Sequence, residues 1–354
     1  MKKELLVASR ISGVGKSVPE KVVTNKFFEG YLETSDEWIQ ERTGIKERRW
    51  VESNVSASEL SEPACREAIK AAGLSASDID GVIVATTTPD YIFPSTACML
   101  QKRLGIGRGP AFDLNAACSG FIYSLSCADS LIASGQCNNI LIVGVDLYSR
   151  LIDFKDRSTC ILFGDGAGAA VVSSVAAAAQ NSKGPSLGYQ NSRLVKGDAT
   201  STSAIYASDL TANGGAGDIL CAARGSAKEI TPESLLAGEH YIQMQGRDVF
   251  KLAVRSLAEL SENLMQKVGI DVHAVDYIIS HQANKRILLA MAKQMGVAEE
   301  RVLFNVERYG NTSAASVPLL LAEAVQNGPA KKGDLLLLSA FGAGLTWGAV
   351  LVRL

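Results

Sequence analysis

One of the seven cysteines lies where a thiol could act as a nucleophile. Cys118 stands in the segment AACSG, after an apparent strand (AFDL) and at the start of a helix whose apolar residues share one face. The unpaired N–H groups at a helix start favour a thiolate, so we expect a pKa below the ordinary value of about 8.5. The other cysteines lack this combination, and Cys118 is therefore the predicted nucleophile for covalent catalysis.

Two further polar residues follow apparent strands in the second part of the chain. His281 follows the apolar run YIIS and opens a helix, whereas His240 and His273 lie in acidic or turn-like surroundings and are interpreted as solvated. Asn311 lies in GNTS, another strand-to-helix turn, where asparagine is also a common helix N-cap. Because ligands bind at the carboxyl ends of strands in open α/β sheets, we expect Cys118, His281 and Asn311 to converge.

An internal repeat supports this convergence. Residues 59–84 and 255–280 share the order of a helix-period pattern, a glycine, an acidic turn and a short β-branched run. Gly73 aligns with Gly269 and Asp80 with Asp276, both at an offset of 196 (269 − 73 and 276 − 80). The sequence therefore predicts a duplicated unit.

The apolar runs predict the fold class. Each half alternates helices with strands that are continuously apolar, which is typical of parallel sheets covered by helices. We predict an α/β fold of two similar halves, with an N-terminal half at 1–180 and a C-terminal half at 236–354. Residues 181–235, rich in Ala, Ser, Gly and Asn, are predicted to be a connecting or inserted region, partly loop.

Composition excludes several classes of function. A net charge of −2 over 354 residues argues against a nucleic-acid binder. No run reaches the roughly 18 apolar residues of a membrane span, so no membrane partner is expected. The cysteines form no Cys-x-x-Cys pair and are predicted to be reduced thiols of a cytoplasmic protein without a metal site.

Several separated motifs resemble the ketoacyl synthase III branch of the thiolase-like enzymes. They are AFDLNAACSGF, HQAN, GNTSAAS, FGAGLTWGA, TSDEWIQERTGIKERR, DRSTCILFGDGAGAA and QGRDVFKLAV. The C-terminal glycine loop lacks the second cysteine of thiolases, and Asn311 stands where elongating synthases carry a second histidine. The resemblance implies a thiolase-like fold layered α-β-α-β-α, a homodimer, and no cofactor besides CoA thioesters as substrates.

The resemblance also implies a reaction. Cys118 would take an acyl group from an acyl-CoA, usually acetyl-CoA, with the backbone N–H groups of Cys118 and Ala343 as oxyanion hole. Malonyl-acyl carrier protein would follow, and His281 and Asn311 would donate hydrogen bonds to its thioester carbonyl during loss of CO2. The product would be a 3-ketoacyl-acyl carrier protein that initiates fatty acid synthesis.

Binding residues carry over from the same resemblance. The implied CoA contacts are Trp38, Arg42, Arg157, Gly246, Ala283 and Asn284, with Ser158 standing where the family has glycine. Phe93 is implied to limit the primer pocket across the dimer interface. The predicted carrier-protein dock consists of Arg247, Lys251, Arg255, Arg286 and Lys293. A solvated helix face relieved by Glu259 is the alternative to this dock.

Three other functions stay open from the sequence. The fold could transfer its acyl group to another acceptor without decarboxylative condensation, as Ser158 and the long region at 173–230 allow. It could serve as a condensing enzyme of specialised metabolism. A non-catalytic partner subunit is the third alternative, although Cys118, His281 and Asn311 are all present.

Overall fold

The computed structural model describes residues 4–176, 194–198, 202–222 and 229–354. The strands in these ranges are β1 Glu4–Val7, β2 Ser9–Ser17, β3 Val22–Thr24, β4 Glu47–Arg49, β5 Gly81–Ala85, β6 Ala111–Leu114, β7 Asn139–Leu147, β8 Asp165–Ser174, β9 Val195–Asp198, β10 Ala204–Ala212, β11 Leu220–Ala222, β12 Ile242–Met244, β13 Tyr277–Ser280, β14 Leu335–Gly342 and β15 Thr346–Arg353. The helices are α1 Lys26–Glu29, α2 Asp36–Thr43, α3 Ala57–Ala71, α4 Thr96–Leu104, α5 Gly120–Ala133, α6 Arg157–Cys160, α7 Pro232–Leu236, α8 Gly246–Val268, α9 Lys285–Gln294, α10 Val306–Tyr309 and α11 Ser316–Gln326.

Two sheets with the same strand order form the core of the described residues. The first has the order β2-β8-β7-β5-β6 and the second β10-β15-β14-β13. In each sheet the first two pairings in this order are antiparallel, and the pairings made by β5 or β13 are parallel. β5 and β13 begin 196 residues apart (277 − 81), as do β7 and β14 (335 − 139). The predicted duplication is confirmed.

Helices separate and cover the two sheets. α5 and α11 lie between them, since Leu125 and Leu321 share one apolar cluster with Ile83 of the first sheet and Leu338 of the second. α3 and α4 pack on the outer face of the first sheet, and α8 and α9 on the outer face of the second. The result is the predicted five-layered α-β-α-β-α arrangement.

The predicted connecting region contributes a strand. Residues 204–212 form β10, which pairs antiparallel with β15 at the edge of the second sheet. Ala204, Ile205 and Tyr206 are buried there, so apolar burial assigns this stretch to the C-terminal half. The predicted connecting or inserted region at 181–235 therefore includes a strand of the second sheet. Residues 181–193, 199–201 and 223–228 lie outside the described ranges, and the limits at 180 and 235 stay predictions.

None of the helices in the described ranges is long and apolar enough to cross a membrane.

Candidate active site

Cys118, His281 and Asn311 line one cavity of about 1410 Å³. Cys118 lies in a 3-10 turn between β6 and α5, His281 directly follows β13, and Asn311 lies between α10 and α11. All three are buried, with 5% to 6% of each residue exposed. The ends of β6 and β13 and the equivalent turn before α11 thus bring the three predicted residues to one chamber.

The turns that carry Cys118 and Asn311 are built alike. Ala117 and Ser313, again 196 residues apart (313 − 117), have positive φ angles of 46° and 51°. Asn115 Oδ1 accepts a hydrogen bond from Ala117 N at 3.3 Å, and Asn311 Oδ1 accepts one from Ser313 N at 2.9 Å. Asn311 therefore caps its own turn through Oδ1, which leaves the Nδ2 amide as the group that can donate into the cavity.

The Cys118 thiol is not acidic in this structure. Burial raises the pKa of Cys118 to about 12; the Ser313 hydroxyl, which donates to Sγ at 3.4 Å, opposes this rise, and the carboxylate of Asp146 adds to it. The prediction of a lowered pKa is wrong, because loss of solvent outweighs the hydrogen bond. The resting thiol carries its proton at neutral pH and must lose it when it attacks.

His281 is a neutral imidazole. Burial lowers its pKa to about 3. Its Nδ1 lies 2.6 Å from the hydroxyl oxygen of Ser316 at the start of α11. A neutral imidazole accepts at one ring nitrogen and donates at the other, so its role in the cavity depends on the tautomer.

Comparison with known proteins assigns the chain to a family. A family model described as 3-oxoacyl-[acyl-carrier-protein (ACP)] synthase III matches residues 112–187, and the model of its C-terminal part matches residues 265–354. The β-ketoacyl-[acyl-carrier-protein] synthase III of Thioalkalivibrio sulfidiphilus is 43% identical over 98% of this chain and 99% of its own length. The chain belongs to the synthase III family.

Solved structures agree with this assignment. The 3-oxoacyl-[acyl-carrier-protein] synthase III of Aquifex aeolicus matches with a TM-score of 0.84 and 41% identity, covering 98% of this chain and all of that one. The priming β-ketosynthase of the R1128 polyketide pathway matches with a TM-score of 0.85 and 30% identity, covering 100% of this chain and 98% of that one. The family is one of condensing acyltransferases, so the chain is an enzyme rather than a non-catalytic subunit.

In this synthase III family member the C-terminal glycine loop packs on Cys118. A Cβ added at Gly342 would lie 2.7 Å from the backbone nitrogen of Cys118 and 3.1 Å from its Cβ. Ala343, the predicted second donor of the oxyanion hole, lines the cavity. Glycine at 342 therefore lets the two predicted backbone donors come together.

Gly342→Ala is expected to slow acylation of Cys118 by about 100-fold, because the new methyl group displaces the Cys118 turn. The rate of acyl adduct formation in single-turnover mixing measures this. Gly107→Ala is the matched control, since a Cβ there meets nothing within 4 Å. Adduct formation at the wild-type rate in Gly342→Ala would contradict the packing argument.

A buried aspartate connects the two halves behind Cys118. Asp146, at the end of β7, accepts from Thr87 N at 2.7 Å, from Thr87 Oγ1 at 2.9 Å and from Ala314 N at 3.2 Å. Burial raises the pKa of this carboxyl group. Asp146, Ser313 and Ser316 were not predicted from the sequence. Asp146 had one signal, since it is an acidic residue at the end of the apolar run NILIVGV.

Most of the predicted CoA residues line the cavity. The guanidinium groups of Arg42 and Arg157 each lie 4.6 Å from the ring centroid of Trp38. Asn284 is occupied: Nδ2 donates to Arg42 O at 3.1 Å, and Oδ1 accepts from Arg286 N at 2.8 Å. Of the CoA set, Trp38, Arg42, Gly246, Ala283 and Asn284 line the cavity, whereas Arg157 only contacts its rim through Trp38.

The substituted position Ser158 is accommodated locally. Its hydroxyl donates to Asp156 Oδ1 at 2.6 Å, and the same oxygen accepts from Ser158 N at 2.9 Å. Asp156 thereby caps α6. The serine side chain is held by its own turn, although Ser158 does line the cavity.

Phe93 and the basic residues lie on the surface. Phe93 is 83% exposed and does not line the cavity of its own chain. All five predicted dock residues, Arg247, Lys251, Arg255, Arg286 and Lys293, are exposed on α8 or α9. Arg255 pairs with Glu259 at 2.7 Å, which supports the alternative of a relieved charge at that position.

In the part of the chain that the structure describes, no cluster of His, Cys, Asp or Glu side chains is arranged to hold a metal ion.

Proposed function

We propose that this chain condenses an acyl-CoA primer, with acetyl-CoA as the first candidate, with malonyl-acyl carrier protein. The products are 3-ketoacyl-acyl carrier protein, CoA and CO2, and the reaction initiates fatty acid synthesis. The supporting observation is that Cys118, His281 and Asn311 line one cavity in a member of the synthase III family. No cofactor takes part besides the CoA thioester. A cytoplasmic location would keep the seven free cysteines reduced.

The first half-reaction acylates Cys118. Its sulfur attacks the thioester carbonyl, and the backbone N–H groups of Cys118 and Ala343 stabilise the oxyanion. The close packing of Gly342 on Cys118 supports this pairing of donors. CoA then leaves, and the acyl group remains on the cysteine.

The second half-reaction removes CO2 from the malonyl group. Negative charge develops on the thioester carbonyl oxygen, where the Asn311 amide and a ring N–H of His281 donate hydrogen bonds. Asn311 Oδ1 accepts a hydrogen bond from Ser313 N, so the Nδ2 group is the part of the amide that is left to donate to the substrate. This arrangement supports the proposed role. The resulting carbanion attacks the acyl-cysteine carbonyl, the carbon–carbon bond forms, and the bond to sulfur breaks, which releases the Cys118 thiolate.

CoA enters past Trp38. We propose that the adenine stacks on the Trp38 ring, with Arg42 and Arg157 as its cationic neighbours. Because both guanidinium groups already lie 4.6 Å from that ring, one of them has to swing away to admit the base. The pantetheine arm then passes Gly246, Ala283 and Asn284, the N-cap residue of α9.

A second copy of the chain completes the primer pocket. Tyr91, Ile92 and Phe93 are 57%, 95% and 83% exposed, which is unusual for three consecutive large apolar residues. In a homodimer this loop would insert Phe93 into the neighbouring subunit. Its bulk would then limit the length of the primer.

The carrier protein docks beside the cavity mouth. Arg247 lines the cavity, and Arg286 lies 5.9 Å from the ring of Phe250, which also lines it. Lys251 follows Arg247 by one helical turn, whereas Lys293 lies two turns beyond Arg286 on α9. Acidic groups of a carrier protein would complement this surface.

Arg286→Glu is expected to raise the Michaelis constant for malonyl-acyl carrier protein about 10-fold, since one attractive charge becomes repulsive. Acetyl transfer from CoA stays unchanged. Lys332→Glu is the matched control, because Lys332 precedes β14 and lies at the opposite end of that strand from the cavity. An unchanged constant in Arg286→Glu would remove the docking proposal.

Intact-protein mass spectrometry tests the proposed function. The enzyme is mixed with a panel of acyl-CoAs and then with malonyl-acyl carrier protein. The proposal expects an acyl adduct that disappears as ketoacyl-carrier protein forms. An adduct that malonyl-carrier protein does not discharge would favour transfer to a different acceptor.

Priming of a specialised pathway is the second candidate function. The likeness to the R1128 priming ketosynthase over the whole chain favours it. The same acyl-CoA panel separates the two: acetyl-CoA as best primer supports fatty acid initiation, and preference for longer primers supports the specialised role.

A further inference from the structure

Ser316 lies at the junction of three buried hydrogen bonds next to His281. Its hydroxyl oxygen is 2.6 Å from His281 Nδ1, donates to Ser313 O at 2.9 Å and accepts from Gln282 N at 3.2 Å. Ser316 is 1% exposed, so water does not replace any of these partners. A hydroxyl group can donate one hydrogen bond and accept two, so one of the three bonds is donated by Ser316 and the other two are accepted by it.

Counting donors and acceptors selects one arrangement. The Gln282 N–H can only donate, so it takes one lone pair of the hydroxyl oxygen. If the proton points to Ser313 O, the second lone pair accepts from His281 Nδ1–H, and all three bonds form. If the proton points to Nδ1 instead, the bond to Ser313 O is lost and one lone pair stays empty in a buried site, which is costly.

We propose that Ser316 fixes His281 in the tautomer that carries its hydrogen on Nδ1, which leaves Nε2 as a proton acceptor towards the cavity. Ser316 is thus a positioning residue for the synthase reaction. The resting enzyme then has the Cys118 thiol and an unprotonated ring nitrogen in one cavity. Burial keeps both the resting thiol and the resting imidazole neutral, so His281 takes the Cys118 proton only as the sulfur–carbonyl bond forms, and it becomes a donor only after Nε2 has gained that proton.

The internal repeat places an equivalent pair of positions in the first half. At the offset of 196, His281 corresponds to Ala85 and Ser316 to Gly120. A Cβ added at Gly120 would lie 2.9 Å from the Ala85 Cβ, so the same two positions are in contact in the first half. There they carry only glycine and alanine, which can form no side-chain hydrogen bond. The half that carries the histidine is the half that carries the hydroxyl group.

If the chain catalyses the proposed reaction, every proton that His281 takes up is released again within the two half-reactions. In acylation the Cys118 S–H bond breaks, its proton passes to Nε2, the sulfur–carbonyl bond forms, and the departing CoA sulfur takes the proton. In condensation Nε2 takes one proton from solvent as the malonyl carboxylate enters, because that negative charge offsets the burial that keeps the resting imidazole neutral, and Nε2–H then donates to the thioester oxygen. After CO2 leaves, the carbon–carbon bond forms and the acyl–sulfur bond breaks, and the proton passes from Nε2 to the Cys118 thiolate that is released.

Nitrogen NMR of the free enzyme tests the tautomer without any substrate. The chain has only three histidines, so 15N-histidine labelling gives three ring systems, assigned with His240→Gln and His273→Gln. We expect two-bond correlations that show hydrogen on Nδ1 of His281 and none on Nε2. Hydrogen on Nε2 in the resting enzyme would overturn the proposal, whether or not the enzyme condenses malonyl groups.

Two serine variants test the residue itself. Ser316→Ala is expected to shift His281 to a mixture of tautomers and to slow acylation about 100-fold, which is at the low end of what general acid–base catalysis contributes. Ser316→Thr keeps the hydroxyl group and should retain the wild-type tautomer. If Ser316→Ala keeps the Nδ1–H tautomer, Ser316 does not determine it, and if Ser316→Thr loses that tautomer, the hydroxyl group is not the cause.

Discussion

Cys118→Ala is expected to form no acyl adduct with any acyl-CoA and to lose condensation by about 10⁴-fold or more. The reason is chemical rather than structural: the thiol is the sole proposed attacking atom, and alanine removes it without adding volume to the buried turn. Intact-protein mass spectrometry after mixing with the acyl-CoA panel measures the adduct directly.

Cys221→Ala is the control that shows whether an acyl adduct is formed on Cys118 or on another cysteine of the cavity. Cys221 also lines the cavity and is exposed, so it is the other thiol there that an acyl-CoA could reach in the described residues. We expect Cys221→Ala to acylate as the wild type does. An adduct that persists in Cys118→Ala and vanishes in Cys221→Ala would move the nucleophile to Cys221.

The fold could be predicted because its signals are local and repeated. Continuous apolar runs such as GVIVA and YIIS predict strands covered on both faces, and the offset of 196 relates two copies of the unit. Once the copies were aligned, the turns of Cys118 and Asn311 became equivalent. Strand β10 escaped prediction because its residues after Tyr206 are only partly buried, so its apolar pattern is weak.

The electrostatics of the site could not be predicted from local sequence. The helix start at Cys118 favoured a low pKa, but the burial of the thiol depends on contacts with Ser313 and Gly342, which are distant in the chain. The partner of His281 is 35 residues away at Ser316. Asn284, which is predicted to contact CoA, is also the N-cap of α9, a role that the sequence did not indicate.

Asn311→Ala is expected to leave acylation of Cys118 nearly unchanged and to slow condensation by about 100- to 1000-fold, the usual cost of one lost oxyanion donor. Decarboxylation builds charge on the malonyl thioester oxygen, and the Asn311 Nδ2 group is the donor that the turn presents there. Single-turnover mass spectrometry separates the steps, first with acyl-CoA and then with malonyl-acyl carrier protein.

Asn311→Asp separates the donor from the cap. Aspartate keeps an oxygen that can accept from Ser313 N, so the turn is preserved, but it has no amide hydrogen for the substrate. If the donor matters, Asn311→Asp condenses as slowly as Asn311→Ala while both acylate normally. Recovery of condensation in Asn311→Asp would assign the residue to the turn alone, and equal loss of both half-reactions in Asn311→Ala would show that the mutation disturbs Cys118 itself.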